Sequence, residues 1–466
     1  MPRIYIETFG CQMNEADSRH IAERAVAAGY SVATAPEEAN VVVLNTCTVR
    51  DNAERRAYGR MNHLNALKRV DPNLRLVVTG CLAEQDRDRM KRLAPHVDAI
   101  FGTRELSELG DQLAAWQPSF DDVDFSDDRV LLAPLGGTAD GVTGAYTHLR
   151  AQVTVQRGCS YYCTFCIVPH VRGRFDHRPA SDIIEETRGR VGQGAREIVL
   201  VGQTVNAWRD PATGEDFGDL CRRLVELTGI ERLSFISPHP KDFTEKILDD
   251  LAAIPQLNPR IHLPLQSGSD AMLRRMNRKY TLERFDEIVA GIRRRVPECA
   301  ITTDLIVGFP GESEGDFAAT LAYVRGGVFA NAFTFIYSIR RGTPAAHWPQ
   351  VPKEIALERF GRLLQAQNEV TRAFHERRTG ATVRALIVGD SKKDANKVTA
   401  KALDNVTIVA PKPADYPYEG TPWLDVAVQS AHVWGCAGTV VGRAARWSDP
   451  ALSVRRPVLD LVATAR

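Results

Sequence analysis

The first part of the chain alternates short apolar runs with stretches of helical periodicity. RIYIETF, NVVVLNT and LRLVVTG read as strands, with NEADSRHIAERAVAAGY and NAERRAYGRMNHLNALKRV as the helices between them. In the first helix Ile21 and Ala25 share a face, Asn14 is the expected N-cap and Gly29 the expected stop. Strand and helix in alternation predict an open parallel α/β sheet with covered faces over residues 1–118. PSFDDVDFSDDRV, with five Asp, and the Gly-rich LGGTADGVTG then read as a linker over 119–146.

Over 147–375 the alternation returns six times, with strands QVTVQ (152–156), EIVLVG (197–202), RLSFIS (232–237), RIHLPL (260–265), ITTDLIVGF (301–309) and AFTFIYS (332–338). Six parallel strands with intervening helices predict a partial (β/α)6 barrel, whose site lies at the strand C-terminal ends; a flat doubly wound sheet is the alternative. Over 378–446 the short alternating runs ATVRALIVGD, KVTAKAL, NVTIVAP and WLDVAVQSAHVWGCAGTVVGR predict a small antiparallel β-barrel, and 447–466 a tail. The fold class is therefore α/β and multidomain.

Length agrees, since 466 residues at about 150 per domain suggest roughly three domains. A composition of 44% hydrophobic and 25% charged residues is that of an ordinary globular chain and excludes disordered, collagenous and disulfide-scaffold classes. With 59 basic against 58 acidic residues the net charge is only +1, so any nucleic-acid contact must come from local basic patches. MPRIYIETFGCQMN has no basic region followed by an apolar stretch, and no run approaches the roughly 20 apolar residues of a bilayer span, so a cytoplasmic protein without membrane association is expected. Nine unevenly spaced Cys suit a reducing compartment in which thiols serve metals or catalysis.

Cys159, Cys163 and Cys166 stand in RGCSYYCTFCIVP, a C-x3-C-x2-C triplet just after the first strand of the central region. Three soft thiolates this close can hold three corners of an iron–sulfur cube, leaving one iron free to chelate a substrate or cofactor. A zinc site would need a further ligand, which His170 could supply, and a ferredoxin-type carrier normally has four Cys per cube. Cys11, Cys47 and Cys81 each follow a predicted strand; in a parallel open sheet such positions line one crevice, where the three can converge on a second cluster with a free iron. The plainer alternative is three small buried residues, against which Gly10 and Gly80 place two of them at turns where binding groups sit. Cys221, Cys299 and Cys436 show no grouping and read as packing residues.

At these residues the chain resembles the radical S-adenosylmethionine enzymes, which carry a C-x3-C-x2-C loop on a partial β/α barrel. The resemblance implies that the open iron binds S-adenosylmethionine and that an electron cleaves it to methionine and a 5'-deoxyadenosyl radical. TFGCQMNEADS, LNTCTVR and VTGCLAE resemble the methylthiotransferase branch. With QRGCSYYCTFCIVPHVRG, HLPLQSGSD, MNRKYT and DLIVGFPGES the likeness covers essentially the whole chain and points to the tRNA-modifying MiaB family. It implies two 4Fe-4S clusters and S-adenosyl-L-methionine, and as substrate a tRNA carrying isopentenyladenosine beside the anticodon, methylthiolated at carbon 2. It further implies an electron donor such as flavodoxin or ferredoxin, and a monomer. In the implied mechanism one S-adenosylmethionine methylates a sulfur on the N-terminal cluster. Another yields the radical that abstracts the adenine hydrogen, and the carbon radical then attacks the methylated sulfur, so the clusters face each other across the base. The alternatives are a sister enzyme acting on threonylcarbamoyl-adenosine or on a ribosomal-protein aspartate, and a non-catalytic iron–sulfur RNA-binding protein.

No catalytic residue beyond the six cluster cysteines is expected. Gln203 and Asn206 follow the second central strand, Ser237 the third, and Gln266 and Ser267 the fourth, where they can hydrogen-bond the cofactor or the adenine; such residues also cap helices and close turns. Phe165 packs against the cofactor's adenine or shields the cube. The second loop reads GQTVN where relatives show GQNVN, with Thr204 departing. GFPGES lacks the Lys of a phosphate-cradling loop and reads as a cofactor-supporting turn. The RNA-contacting candidates are Arg55, Arg56, Arg60, Arg172, Arg174, Arg278 and Lys279, with Arg274, Arg275, Arg340 and Arg341 beside them; basic runs are more often simply solvated faces. The terminal β segment resembles a TRAM RNA-binding barrel, although NVTIVAP departs from the Asn-Arg pair of relatives.

Overall fold

The computed structural model describes residues 1–48, 51–116, 147–413, 416 and 422–448; the predicted linker and residues 449–466 of the predicted tail lie outside the described residues. The chain forms two compact units. One holds residues 1–116 together with Ile167–Arg174, and the other the remaining described residues, the C-terminal barrel included.

In the first unit β1 (Arg3–Thr8), β2 (Ser31–Val32), β3 (Val41–Thr46), β4 (Arg75–Gly80) and β5 (Ala99–Ile100) form a wholly parallel sheet of order β2-β1-β3-β4-β5. Every residue of β3 is buried, as a central strand covered on both faces requires. Val41 and Val43 pack with Ile21 and Ala25 of α1 (Gln12–Ala27) and with Leu109 of α4 (Leu106–Ala115). Val42 and Leu44 point the other way, toward Met61 of α2 (Asp51–Val70) and Met90 of α3 (Cys81–Leu93). Each such side chain contributes about 1.5–3 kcal/mol of burial. Helix α1 ends as expected: Gly29 adopts φ +85°, its N–H donates to Val26 O at 2.8 Å and that of Tyr30 to Ala25 O at 2.9 Å, a Schellman closure. Its start differs from expectation. Cys11 occupies the N-cap, and Asn14 lies inside the helix because its amide is drawn to the backbone of two strand ends.

In the second unit all six central strands form: β6 (Arg150–Thr154), β9 (Glu197–Val201), β10 (Arg232–Phe235), β11 (Arg260–His262), β12 (Ala300–Val307) and β13 (Asn331–Ile336), with a small antiparallel pair β7 (Gln156–Arg157) and β8 (Asp176–His177) after the first. Their hydrogen bonding falls into two parallel three-stranded sheets, β6-β9-β10 and β11-β12-β13. A single core spans both, with Val153, Leu200, Leu233, Ile261 and Ile301 fully or nearly buried in it, so the arrangement is an arc of six strands interrupted after the third. β11 is shorter than RIHLPL suggests because Pro264 has no N–H to donate and Gln266 turns to φ +72°.

The C-terminal strands β14 (Thr382–Ser391), β15 (Asp394–Ala402), β16 (Thr407–Pro411), β17 (Trp423–His432) and β18 (Gly435–Ala444) close into a barrel of order β14-β15-β16-β18-β17. It is not purely antiparallel, because β16 pairs with β18 in parallel through Ile408–Cys436 and Val409–Ala437. The barrel docks at the N-terminal ends of the central strands. Arg232 Nη2 donates to Ala402 O and Leu403 O at 3.0 and 3.1 Å, and Trp423 Nε1 to Glu231 Oε2 at 2.7 Å. The opposite, C-terminal ends remain for chemistry.

Candidate metal centres

Cys11 follows β1 after Phe9 and Gly10, Cys47 directly follows β3, and Cys81 directly follows β4. Two left-handed glycines let these strand ends approach. A Cβ on Gly10 (φ +118°) would lie 2.4 Å from Cys47 Cβ, and one on Gly80 (φ +97°) 2.3 Å from Thr46 O. Gly80→Ala is therefore expected to cost about 3 kcal/mol or more, combining backbone strain with a backbone clash; an unchanged thermal midpoint would contradict this. Asn14 ties the same ends together, its Nδ2 donating to Phe9 O at 2.7 Å and to Thr46 O at 3.0 Å. Cys81 is buried beside Ile167 and Val171 and receives an N–H from Arg172 Nε at 3.2 Å. Burial pushes the Cys81 thiol up to about 12; the neighbouring Cys11 and Cys47 add to the rise and Arg172 opposes it. Binding of a metal by this thiol would release a proton.

In the second unit, Gly158 (φ +71°) turns the chain into the C-x3-C-x2-C loop. Thr164 N donates to Met276 O at 3.1 Å, Thr164 Oγ1 to Arg275 O at 3.0 Å, and Asn277 Nδ2 to Tyr162 O at 2.9 Å, which staples the loop to the turn around residues 275–278. Arg278 Nη1 donates to Cys163 Sγ at 3.3 Å, and Thr204 Oγ1 lies 3.6 Å from Cys159 Sγ. Burial raises the Cys159 thiol, against hydrogen bonds from the Tyr161 amide and Thr204. Each triplet thus consists of thiols outside any disulfide, one of them receiving an arginine N–H, a donor set that fits an anionic thiolate-ligated cluster. Among the described residues the side chains gathered within 4.8 Å for a single ion are Asp216, Asp219 and Asp250, and Lys246 Nζ already donates to all three at 3.1, 3.0 and 2.8 Å. Among the described residues neither cysteine triplet has all three sulfurs within 4.8 Å of one another.

The predicted cofactor residues divide. Gln203 Oε1 is buried without a hydrogen-bond partner, and Ser237 and Gln266 take φ of +56° and +72° at strand C-terminal ends, the kind of backbone strain found at ligand sites. Asn206 and Ser267 are hydrogen-bonded within the fold. The Asn206 amide donates to His239 O at 2.9 Å and accepts from His239 N at 2.7 Å, while Ser267 Oγ pairs with Thr320 Oγ1 at 3.3 Å and accepts from Ser269 N at 3.3 Å. Phe165 packs on the cluster of Met272, Met276 and Phe309. The GFPGES turn is closed internally, with Gly308 N and Arg359 Nη1 both donating to Glu312 Oε2 at 2.8 Å.

The basic candidates divide in the same way. Arg172 Nε and Arg278 Nη1 donate to the sulfurs of Cys81 and Cys163, and Arg60 pairs with Glu7 at 2.7 Å. Arg55, Arg56, Arg174 and Lys279 are exposed. His239, which the sequence does not single out, lies against Tyr161 of the cysteine loop. Only 5% exposed, it sits with ring centroids 4.5 Å from Tyr161 and 5.5 Å from Tyr280, Nδ1 accepting from Lys241 N at 3.2 Å and Nε2 buried without a partner. Burial, with Arg278 and Lys241 adding to it, holds its imidazole far below the ordinary range; burial also lowers His177 and His375. All three shifts are downward and the largest is at His239, so below about pH 6.5 the unfolded chain binds more protons than the folded one and stability falls with falling pH. His239 alone is expected to remove about 1.4 kcal/mol per pH unit below that point. Denaturant midpoints measured across this range should flatten in His239→Gln; an unaltered slope would contradict the assignment.

Comparison with known proteins agrees with this geometry. Residues 3–102 match the model of uncharacterized protein family UPF0004, and residues 153–324 that of the radical SAM superfamily. The fold is similar to that of the radical S-adenosylmethionine methyltransferase TsrM of Kitasatospora setae, with a TM-score of 0.53 at 14% identity over 74% of this chain and 77% of that one. Fold and cysteine loop define a radical S-adenosylmethionine enzyme, a class that carries a 4Fe-4S cluster and S-adenosylmethionine. The tRNA-2-methylthio-N(6)-dimethylallyladenosine synthase of Acidothermus cellulolyticus is 42% identical over 417 residues, 87% of this chain and 82% of the relative. That of Syntrophotalea carbinolica is 39% identical over 412 residues, 87% and 92% of the two chains. The chain belongs to this synthase family and is a radical S-adenosylmethionine methylthiotransferase acting on tRNA.

Proposed function

We infer that the chain adds a methylthio group to carbon 2 of N(6)-isopentenyladenosine next to the anticodon of tRNA, using one 4Fe-4S cluster on Cys159, Cys163 and Cys166 and a second on Cys11, Cys47 and Cys81. The observation that carries this reading is the pair of cysteine triplets at the C-terminal ends of parallel strands, each with one sulfur accepting an arginine N–H. Three thiolates leave a four-iron cube one ligand short. When bound, the cluster of the C-x3-C-x2-C loop supplies the electron that cleaves S-adenosylmethionine to methionine and a 5'-deoxyadenosyl radical. Gln203 Oε1 and the His239 Nε2–H are among the buried polar atoms without a hydrogen-bond partner and would orient a polar ligand there, one as acceptor and one as donor. The polarity of His239 follows from its Nδ1 accepting the Lys241 amide.

Arg55, Arg56, Arg174 and Lys279 offer exposed charge for the phosphate backbone, and the C-terminal barrel acts as a TRAM-like RNA-binding module. A flavodoxin- or ferredoxin-type donor, a monomeric state and a cytoplasmic location complete the reading; no helix among the described residues is long and apolar enough to cross a membrane. Mass spectrometry of tRNA nucleosides from a strain lacking the gene tests the substrate. Isopentenyladenosine should accumulate as its 2-methylthio form disappears, and an unchanged 2-methylthio-isopentenyladenosine level would overturn the assignment.

A further inference from the structure

We propose that Arg172 is a positioning residue of the N-terminal metal centre, holding Cys81 through an N–H···S bond and setting the electron affinity of the cluster ligated there. The proposal rests on the reading that Cys11, Cys47 and Cys81 carry a cluster. The Arg172 side chain is only 4% exposed. Its Nε donates to Cys81 Sγ at 3.2 Å, and its Nη2 to Asn14 Oδ1 at 2.7 Å and to Asp17 Oδ2 at 2.8 Å. Asn14 in turn donates to Phe9 O and Thr46 O. One guanidinium is therefore linked to all three cysteine-bearing strand ends, directly at Cys81 and through Asn14 at the other two.

Asp17 fixes the far edge of the fork so that Nε faces sulfur, an arrangement that needs the planar guanidinium and that an ammonium cannot reproduce. Hydrogen bonds and charge at the sulfurs favour the reduced, more negative state of an iron–sulfur cluster. A role confined to packing the fold would not make the Arg172 and Asp17 substitutions shift that balance in opposite directions. The arginine arrives on the segment Ile167–Arg174, which directly follows Cys166 of the other triplet. A basic residue in a segment so close to a cysteine word is thereby accounted for without RNA.

The test uses the full chain carrying C159A, C163A and C166A, so that only the N-terminal centre can bind iron. After anaerobic reconstitution, iron and sulfide are counted and the reduced fraction is followed by electron paramagnetic resonance at fixed poise. R172Q and R172K are both expected to lower the reduced-to-oxidised ratio about tenfold, about 59 mV for a one-electron couple. D17N, which leaves the arginine charge uncompensated, is expected to raise the ratio, and this opposite sign decides the matter even if the Arg172 variants fail to fold. A parental ratio in D17N, or in R172Q at full iron content, would overturn the proposal. Absence of iron from the background carrying both Arg172 and Asp17 would overturn the second-cluster reading instead.

Discussion

Replacing Cys159 with alanine is expected to lower 5'-deoxyadenosine release to background while leaving about half of the chain's iron bound, because each cube holds about four irons. The reason is local. Gly158 turns the chain directly into Cys159, the loop is pinned to the 275–278 turn by contacts of Thr164 and Asn277, and the loop from 159 to 166 carries no fourth cysteine to take the vacant corner. Thr204, whose hydroxyl lies 3.6 Å from the Cys159 sulfur, is the nearest polar substitute among the described contacts of that sulfur, and a hydroxyl is a hard ligand ill suited to iron–sulfide chemistry. With two thiolates left, the loop cannot hold the cluster that delivers the electron. Anaerobic incubation with dithionite and S-adenosylmethionine, followed by chromatography, reads the outcome. Release of 5'-deoxyadenosine at the parental rate would contradict the loop's assignment, and so would its absence from the parent, as a non-catalytic RNA-binding protein would show.

Cys47→Ala is expected to separate the two halves of the chemistry. Cys47 belongs to the other compact unit, so the Cys159 loop and its supports remain intact and reductive cleavage should persist within about twofold of the parent. The substitution removes one buried sulfur at a position 1% exposed, a change of about 1 kcal/mol that the five-stranded sheet should survive. It also removes one of three ligands of the proposed second centre, and methylthio transfer to the nucleoside should stop. Both products can be measured in one reaction on tRNA bearing isopentenyladenosine. A normal yield of methylthiolated nucleoside would remove Cys47 from the chemistry.

The six cysteines and the strands before them are legible because apolar runs and thiol spacing are local properties of the chain. The two-residue strands β2 and β5 are too short to leave a periodic signal, and the parallel β16–β18 pairing that closes the C-terminal barrel joins segments whose partnership no local pattern encodes. Arginine is the residue type whose surroundings the letters reveal least. Arg172 and Arg278 look like Arg55 or Arg174 as letters, yet their side chains donate to cysteine sulfur whereas Arg55 and Arg174 lie exposed. Their sequence signal is adjacency, in HVRG just after Cys166 and in the MNRKYT word. Asn206 and Ser267 show the converse, polar groups at the right strand ends whose hydrogen bonds are used within the fold. Thr204, noted as a departure from the family word, lies against Cys159, while His239 carries no sequence signal beyond its place after a strand.

Iron and acid-labile sulfide counted on anaerobically reconstituted wild-type protein test most directly whether the molecule carries two incomplete cubes. About eight irons and eight sulfides per chain are predicted. About four of each, with 5'-deoxyadenosine still formed, would leave Cys11, Cys47 and Cys81 without a cluster and contradict the account.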